Sequence, residues 1–293
     1  MSNSAEARYL SMSKEKEGQL KCELCPHLCL IPPGGQGRCG VRANDDSRAI
    51  LPCYGQVSAL AMDPIEKKPL SHFRPGTQIL SLGFLGCNLR CPFCQNWRIS
   101  QNHNPQGGIS RYYSPRDLVQ AAKAGDSQIA YTYSEPLVHI EFLIETMTLA
   151  RREGVANVLV TNGCINQEPA EEVLGLCDAA NIDLKCFSPE TYRDILGGDL
   201  PTVLAFIRLA LERAVHVELS TLVVPGMNDS KEELNQCRDF ISALEAEGHT
   251  LPWHLNAYHR AYKHRAPPTD GAFLLALAQD ARKHIKHVYT GNI

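Results

Sequence analysis

The chain has 293 residues, with 29 Lys and Arg against 32 Asp and Glu, a formal charge of −3. Its 44% hydrophobic and 21% charged content is ordinary for a globular protein, and the charge gives no whole-chain reason to expect nucleic acid. The opening MSNSAEARYLSMSKEKEG has no apolar core and does not read as a secretory signal. The longest apolar stretch, near 272–278, is far too short to span a bilayer, so a cytoplasmic protein is expected.

Residues 1–20 are polar and predict a loose tail or a short helix. Residues 21–75 are rich in Cys, Pro and Gly, with PPGGQG at 32–37 as turn punctuation. The expected division is a Cys-rich N-terminal module, 1–75, and a core, 76–293. In the module Cys22, Cys25, Cys29 and Cys39 read C-x2-C-x3-C-x9-C. Four thiols at short spacings suit a closed zinc site or an iron–sulfur cluster, and His27 could replace one of them. A bound metal would explain how so few apolar residues fold.

From Thr77 the texture becomes alternating. Apolar runs at 78–84, 127–133, 157–161, 179–184, 215–224 and 253–258 predict strands. Helical patterns fall between or after them at 114–124, 136–152, 168–177, 199–213, 230–246 and 270–285. Pro115 and Pro136 suit the first helical position, and Ser230 with Glu233 reads as a capping box. This alternation means βα units and a largely parallel sheet. Strand polarity points to α/β with a partial (β/α)6 TIM-like barrel. His216, Glu218 and Ser220 share one face, as do His254, Asn256 and Tyr258, opposite apolar residues. A doubly wound sheet would bury both faces in apolar contacts.

Eight of the twelve cysteines lie between Cys22 and Cys94; Cys164, Cys177, Cys186 and Cys237 sit in mostly apolar surroundings and read as small core residues. After the first core strand, GCNLRCPFCQNW at 86–97 places Cys87, Cys91 and Cys94 at C-x3-C-x2-C. Cys thiolates are the usual ligands of iron–sulfur clusters, and three of them leave one iron of a [4Fe-4S] cluster open. A zinc knuckle is the blander alternative. A loop after a barrel strand is where such enzymes build their sites.

C-x3-C-x-φ-C with Phe93 as φ resembles the radical S-adenosylmethionine (SAM) signature. CELCPHLC at 22–29, DPIEKKPL at 63–70, AYTYSEP at 130–136, TNG at 161–163, DLK at 183–185, VVPGMNDS at 223–230 and WHLNAYH at 253–259 resemble the AmmeMemoRadiSam-system enzymes, relatives of the pyruvate formate-lyase activating enzymes. The resemblance implies a radical SAM enzyme whose [4Fe-4S] cluster at Cys87, Cys91 and Cys94 reductively cleaves SAM to methionine and a 5′-deoxyadenosyl radical. It implies SAM contacts at Phe93 (adenine), Ser134 and Glu135 (the GGEP-like segment), Asp183, Lys185 and His259 (ribose). Tyr133 and Ser134 replace the family's glycines, and Val160 stands where activases place an Asp of a small-cation site. Glu135 could instead cap the following helix, Asp183 and Lys185 could be a structural ion pair, and His259 a surface loop residue. The resemblance implies a reductant such as flavodoxin or ferredoxin. Further partners would be Memo-like and AMMECR-like proteins, or a glycyl radical enzyme if the chain is an activase. The subfamily often continues past the Gly291-Asn292 position with another cysteine pair, so no C-terminal metal motif is expected in a chain that stops at Ile293. A reading of another class is a non-catalytic zinc or iron–sulfur binding protein, which leaves the polar barrel face unexplained.

Overall fold

Eight strands share one sheet in this computed structural model, which describes residues 4–101 and 109–293. They are β1 (Ala59–Pro64), β2 (Gln78–Gly83), β3 (Gln128–Thr132), β4 (Asn157–Thr161), β5 (Ala179–Asp183), β6 (His216–Val223), β7 (Trp253–Ala257) and β8 (Val288–Gly291). They lie side by side in chain order; β2 to β8 run parallel and β1 is antiparallel to β2. Helices α1 (Pro115–Ala124), α2 (Ile140–Arg152), α3 (Gln167–Leu174), α4 (Leu200–Glu212), α5 (Lys231–Ala246) and α6 (Gly271–Ala281) fill the crossovers between the parallel strands. The partial (β/α)6 barrel expected from the alternation is therefore present, with β8 added after the last helix.

Local chemistry sets the helix starts. Ser114 and Asp117 form a capping box before Pro115, and Ser230 accepts from the Glu233 amide. Glu135 caps a 3-10 turn, Pro136–His139, that leads into α2. Strands β1 and β8 were not expected. They are half-exposed edge strands, so neither carries the continuous apolar run that marks β2 to β7.

The N-terminal residues correct a second expectation. Instead of a loose tail or helix, Ala5–Glu6 pairs with Arg48–Leu51, which pairs with Ala43–Asp45, and Leu10–Met12 pairs with Leu20–Cys22, which pairs with Leu30–Ile31. The hydrogen-bond partners come from later in the chain, which local polarity cannot reveal. Residues 1–3 of that stretch lie outside the described residues. Cys22, Leu24 and Ile31 join the main core, while Ala7, Cys39, Val41, Leu51 and Cys53 form a small cluster with Val138. The main sheet also reaches back into the Cys-rich segment, because β1 precedes residue 75.

A strap between β1 and β2 plugs the barrel at the N-terminal ends of its strands. The amides of Ser71 and His72 donate to the Glu218 carboxylate at 2.9 and 2.7 Å, and Asn181 Nδ2 donates to the Pro69 carbonyl at 2.8 Å. His72 Nε2 lies 2.7 Å from the Tyr289 hydroxyl, so the strap spans from β5 and β6 to β8.

Arg42 docks the N-terminal module on α2. Its guanidinium, 1% exposed, meets Glu141 at 2.5 and 3.1 Å and also donates to the Arg8 and Val138 carbonyls. Breaking one side of a buried pair leaves an uncompensated charge and costs about 3–5 kcal/mol. Glu141→Gln is expected to lower the unfolding free energy by about 3 kcal/mol in denaturant titration. The double variant Arg42→Met/Glu141→Leu should recover part of that loss. An unchanged midpoint for Glu141→Gln would show that the pair does not hold the module.

Candidate active site

A cavity of about 700 Å³ opens at the C-terminal ends of the parallel strands. That is the face on which barrel enzymes build their sites, and the volume is in the range of small-molecule pockets. Each parallel strand after β2, or the loop following it, sends side chains into it: Thr132 and Glu135, Val160 and Asn162, Asn181 and Asp183, Ser220 and Leu222, His254 and Asn256, and Tyr289.

The loop after β2 brings Cys87, Cys91 and Cys94 to this cavity. It is clamped along its length. Asn88 donates to the Cys164 carbonyl at 2.7 Å, accepts from Asn162 at 2.9 Å, and receives His27 Nε2 on its carbonyl at 2.8 Å. Arg90 Nη1 donates to the Cys87 carbonyl at 2.8 Å, and the amides of Lys263 and His264 both reach the Pro92 carbonyl at 2.9 Å. Gly86 sits at φ +83°, where a Cβ would overlap Val41 and the Cys39 carbonyl. The N-terminal module thus presses directly on the back of the cysteine loop. The sulfurs have donors of their own: the Leu89 amide at 3.3 Å and Asn162 Nδ2 at 3.7 Å from Cys87, and the Ser100 hydroxyl at 3.2 Å from Cys94. Such contacts orient ligands and tune clusters.

Burial pushes Cys87 well up, helped by Glu135 and the neighbouring thiols, and lifts Cys91 to about 11 against the pull of Lys185. Three mutually repelling thiolates become favourable when a metal supplies the compensating charge. Among the described residues no three His, Cys, Asp or Glu already stand at metal-ligand spacing, in this loop or elsewhere. Cluster assembly therefore requires the three thiols to turn towards one point, which their shared loop permits. Donor type, convergence on one cavity and sulfur hydrogen bonds fit a [4Fe-4S] cluster.

Beside the thiols, Lys185 Nζ meets Asp183 Oδ2 at 2.8 Å, with side chains 17% and 36% exposed. Burial alone would lower Lys185, but Asp183 and the facing Cys91 outweigh it and keep the ammonium charged. The pair is part of the cavity wall. Glu135 is placed differently. Its carboxylate, 1% exposed, accepts from the Leu137 amide at 3.0 Å, the Thr161 hydroxyl at 2.7 Å and the Asn162 amide at 2.9 Å. Burial raises it to about 7 despite those donors. It braces the ends of β3 and β4 from the cavity wall, so the capping and site readings both describe it. Ser134 Oγ, Asn181 Oδ1 and Ser220 Oγ are buried, line the same cavity and have no partner. Orphaned polar atoms of this kind mark where a polar ligand binds.

Phe93 is buried and lines the cavity, with its ring edge towards His264. His259 is exposed, binds the Asn292 carbonyl at 2.7 Å and stands outside the lining, while Asn292 itself is part of it. Cys22, Cys25 and Cys39 are buried and Cys29 is half-buried; none lines the cavity. The turn from Cys22 to Cys29 is closed by Cys22 N to the Cys29 carbonyl at 2.9 Å, and burial lifts Cys22 to about 11 and Cys25 further. Cys164, Cys186 and Cys237 are buried and Cys177 packs on the core, as expected.

Two constellations escaped the sequence reading as chemistry. Asp63 accepts from Lys68 at 2.8 Å and from the Tyr133 hydroxyl at 2.5 Å, with the Lys68 ammonium 4.3 Å from the Tyr133 ring. Tyr133 holds φ +68°, the left-handed region that favours glycine. The signal was present in DPIEKKPL and in the Tyr itself, but nothing local paired them. The second is Glu218, fully buried, which accepts from His254 at 2.7 Å and His216 at 2.9 Å besides the two strap amides.

A partial parallel barrel with three thiols of one loop beside a cation–carboxylate pair defines a cofactor-dependent barrel enzyme. The chain belongs to the radical SAM superfamily, whose family model matches residues 82–237. An uncharacterized protein of Methanocaldococcus jannaschii is 37% identical over 283 residues, spanning 96% of this chain and 83% of its own length. The pyruvate formate-lyase 1-activating enzyme of Escherichia coli is 24% identical over 201 residues, 65% of this chain and 78% of that enzyme. Among solved structures, a radical SAM methyltransferase from Sphaerobacter thermophilus superposes with a TM-score of 0.56 at 13% identity, covering 99% of this chain and 77% of that one. SuiB of Streptococcus suis bound to S-adenosylmethionine gives 0.54 at 15% identity, covering 72% and 51%. The chain is thus a radical SAM protein related to the pyruvate formate-lyase activating enzymes, and membership implies a [4Fe-4S] cluster and SAM as cofactors.

The Glu218 network yields a pH prediction. Burial would raise this carboxyl, but His216, His254 and the two strap amides hold it down to about 2, against an ordinary 4.5. A depressed carboxylate stabilises the fold fully above 4.5, and the contribution is lost as pH falls through about 2. It amounts to about 3 kcal/mol. Glu218→Gln should be less stable at neutral pH yet lose less further stability between those limits. Parallel acid-unfolding curves for the two proteins would count against the network.

Proposed function

We propose that this protein binds a [4Fe-4S] cluster through Cys87, Cys91 and Cys94 and SAM in the adjoining cavity, and uses them to abstract hydrogen from a substrate seated in the lumen. The observation that carries the reading is the shared cavity: three thiols, the Asp183–Lys185 pair and the unpartnered Ser134, Asn181 and Ser220 atoms line one space. The bound cofactors would supply reductive cleavage of SAM to methionine and a 5′-deoxyadenosyl radical. The chain's own residues bind, orient and exclude water. Lys185 meets the methionyl carboxylate, Glu135 lends its charge to the ammonium while bracing the wall, and Ser134 offers its free hydroxyl. Asp183 holds Lys185, and Phe93 and His259 would contact the adenine and the ribose of bound SAM.

Two roles compete for the substrate. The first is an AmmeMemoRadiSam-type modification with Memo-like and AMMECR-like partners. It is supported by the resemblance of CELCPHLC at 22–29, DPIEKKPL at 63–70 and VVPGMNDS at 223–230 to those enzymes. The second is activation of a glycyl radical enzyme, supported by the activase relatives, which match 58–65% of the chain. Anaerobic incubation with SAM, reductant and each candidate partner separates them: a protein-based radical on a glycyl radical enzyme marks an activase. A non-catalytic metal protein would hold metal but bind no SAM. No helix among the described residues is long and apolar enough to cross a membrane, and we place the protein in the cytoplasm. We also propose that Cys22, Cys25, Cys29 and Cys39 hold a second metal, zinc or iron–sulfur, in the module formed by residues 1–75.

Reconstituted protein is expected to carry about four iron at the triad, and Cys87, Cys91 and Cys94 all changed to Ala should abolish 5′-deoxyadenosine formation. SAM cleavage surviving in that variant sinks the proposal. Lys185→Met should keep its iron and melting temperature while SAM affinity falls on the order of tens- to hundreds-fold, since a charge-assisted contact is worth a few kcal/mol. Normal affinity with a lower melting temperature would make Lys185 a structural residue. Cys25→Ala should lose metal from the module and melt earlier while the triad still assembles. Unchanged metal content and stability would remove the second site.

A further inference from the structure

Two buried side chains at the floor of the cavity, Asn181 and His254, leave open atoms that must be hydrogen-bond acceptors. Asn181 Nδ2 donates to the Pro69 carbonyl of the strap at 2.8 Å. A carbonyl can only accept, so the amide cannot be flipped, and the partnerless buried atom is its oxygen, Oδ1. His254 places Nε2 2.7 Å from Glu218 Oε2. Glu218 is held ionised by its four donors, so Nε2 must carry a proton. In the neutral ring the lone pair then falls on Nδ1, which has no hydrogen-bond partner among the described residues. The Tyr289 ring stacks on this imidazole at 5.2 Å and 22°, and the Tyr289 hydroxyl is itself held by His72.

Strand register sets a third open atom between these two. Ser220 on β6 is the lateral partner of His254 on β7 and of Asp183 on β5, while Asn181 on β5 faces Glu218, one row nearer the strap. Neighbouring strands stand about 4.8 Å apart, so the buried, partnerless Ser220 hydroxyl belongs to the same patch. The charges around it are already met: Lys67 and Lys68 pair with Asp63, Lys185 pairs with Asp183, and Glu218 is filled by its donors. A carboxylate or phosphate arriving here meets acceptors where it needs donors, and an ammonium meets no free carboxylate. Burying either charge unpaired is costly. A neutral group that donates hydrogen bonds satisfies the patch instead.

We infer that Asn181, Ser220 and His254 form the substrate subsite of the lumen, and that it takes a neutral polyol. Its hydroxyls donate to Asn181 Oδ1 and His254 Nδ1, and Ser220 exchanges a hydrogen bond with one of them. The inference rests on the radical chemistry proposed above and deepens it by naming the class of substrate. The subsite adjoins the Asp183–Lys185 pair assigned there to SAM, because Asp183 and Ser220 are lateral partners. A C–H bond beside a hydroxyl also suits hydrogen abstraction, since the oxygen lone pair delocalises into the radical left behind. A peptide glycine fits less well. It brings a carbonyl acceptor with every N–H, and of the three open groups only the Ser220 hydroxyl could meet it.

The test incubates the reconstituted holoprotein anaerobically with SAM, dithionite and one carbon-deuterated probe at a time: glycerol, succinate, 1,3-diaminopropane or a short peptide containing glycine. Mass spectrometry reads the fraction of 5′-deoxyadenosine that carries deuterium, a ratio that does not depend on how much SAM is cleaved. Wild type should take deuterium from glycerol, and about tenfold less or lower from each other probe. Ser220→Ala and His254→Gln should each lower the glycerol fraction about tenfold below saturation. The His254→Gln change keeps a donor for Glu218 and removes the Nδ1 acceptor. A glycerol fraction equal to wild type in both variants, with a lower melting temperature or without, makes the floor structural and overturns the inference. So does 5′-deoxyadenosine that carries no deuterium from glycerol, or more from succinate, the diamine or the glycyl peptide. A wild type that forms no 5′-deoxyadenosine in any incubation overturns the earlier reading, and this one with it.

Discussion

The buried carboxylate of Glu135 ties the site together. Sealed from water, it must be met by donors, and the three it finds come from both ends of the cavity wall: the amide of Leu137 after β3, and the hydroxyl of Thr161 and amide of Asn162 at the end of β4. Asn162, fixed in this way, reaches across to Asn88 and the Cys87 sulfur. One desolvated acid thereby sets the distance between the first cysteine and the strand ends on which a ligand would rest. The same logic repeats at the other end of the lumen, where Glu218 gathers two histidines and two strap amides.

The N-terminal module works on the cysteine loop from behind. Arg42 pins the module to α2, Val41 and the Cys39 backbone fill the space that a side chain at Gly86 would need, and His27 holds the Asn88 carbonyl. Any metal bound by Cys22, Cys25, Cys29 and Cys39 would stiffen this support rather than join the chemistry, since none of the four lines the cavity. Barrel and module are therefore mechanically coupled through residues 86–90, the part of the chain whose geometry matters most to the cluster.

Lumen polarity explains why this sheet curls round a cavity instead of packing helices on two apolar faces. Asn181, Asp183, Ser220, His254 and Asn256 line the lumen, where Asn181 is met by the strap, Asp183 by Lys185 and His254 by Glu218. Among the described residues, buried polar atoms of Ser134, Asn181 and Ser220 that lack a partner lie in the wall of that cavity.

Much of this was legible in the residues. Periodicity gave β2 to β7 and all six crossover helices close to their observed limits, because each buries an apolar face or run that its own spacing displays. The C-x3-C-x2-C loop and the DLK pair were readable because their chemistry is local: neighbouring thiols on one turn, and two side chains on one strand face. The edge strands β1 and β8, the small sheets of residues 5–51 and the Asp63–Lys68–Tyr133 contact were not. Their partners stand far away in the chain, and half-exposed or polar segments carry no pattern that names a distant partner. Sequence by itself determined which groups could do the chemistry. Only the tertiary structure decided which of them meet in the cavity, and that Glu135 faces inwards saturated while His259 stays at the rim. Those outcomes depend on burial and on long-range hydrogen bonds, which exist only once the chain has closed on itself.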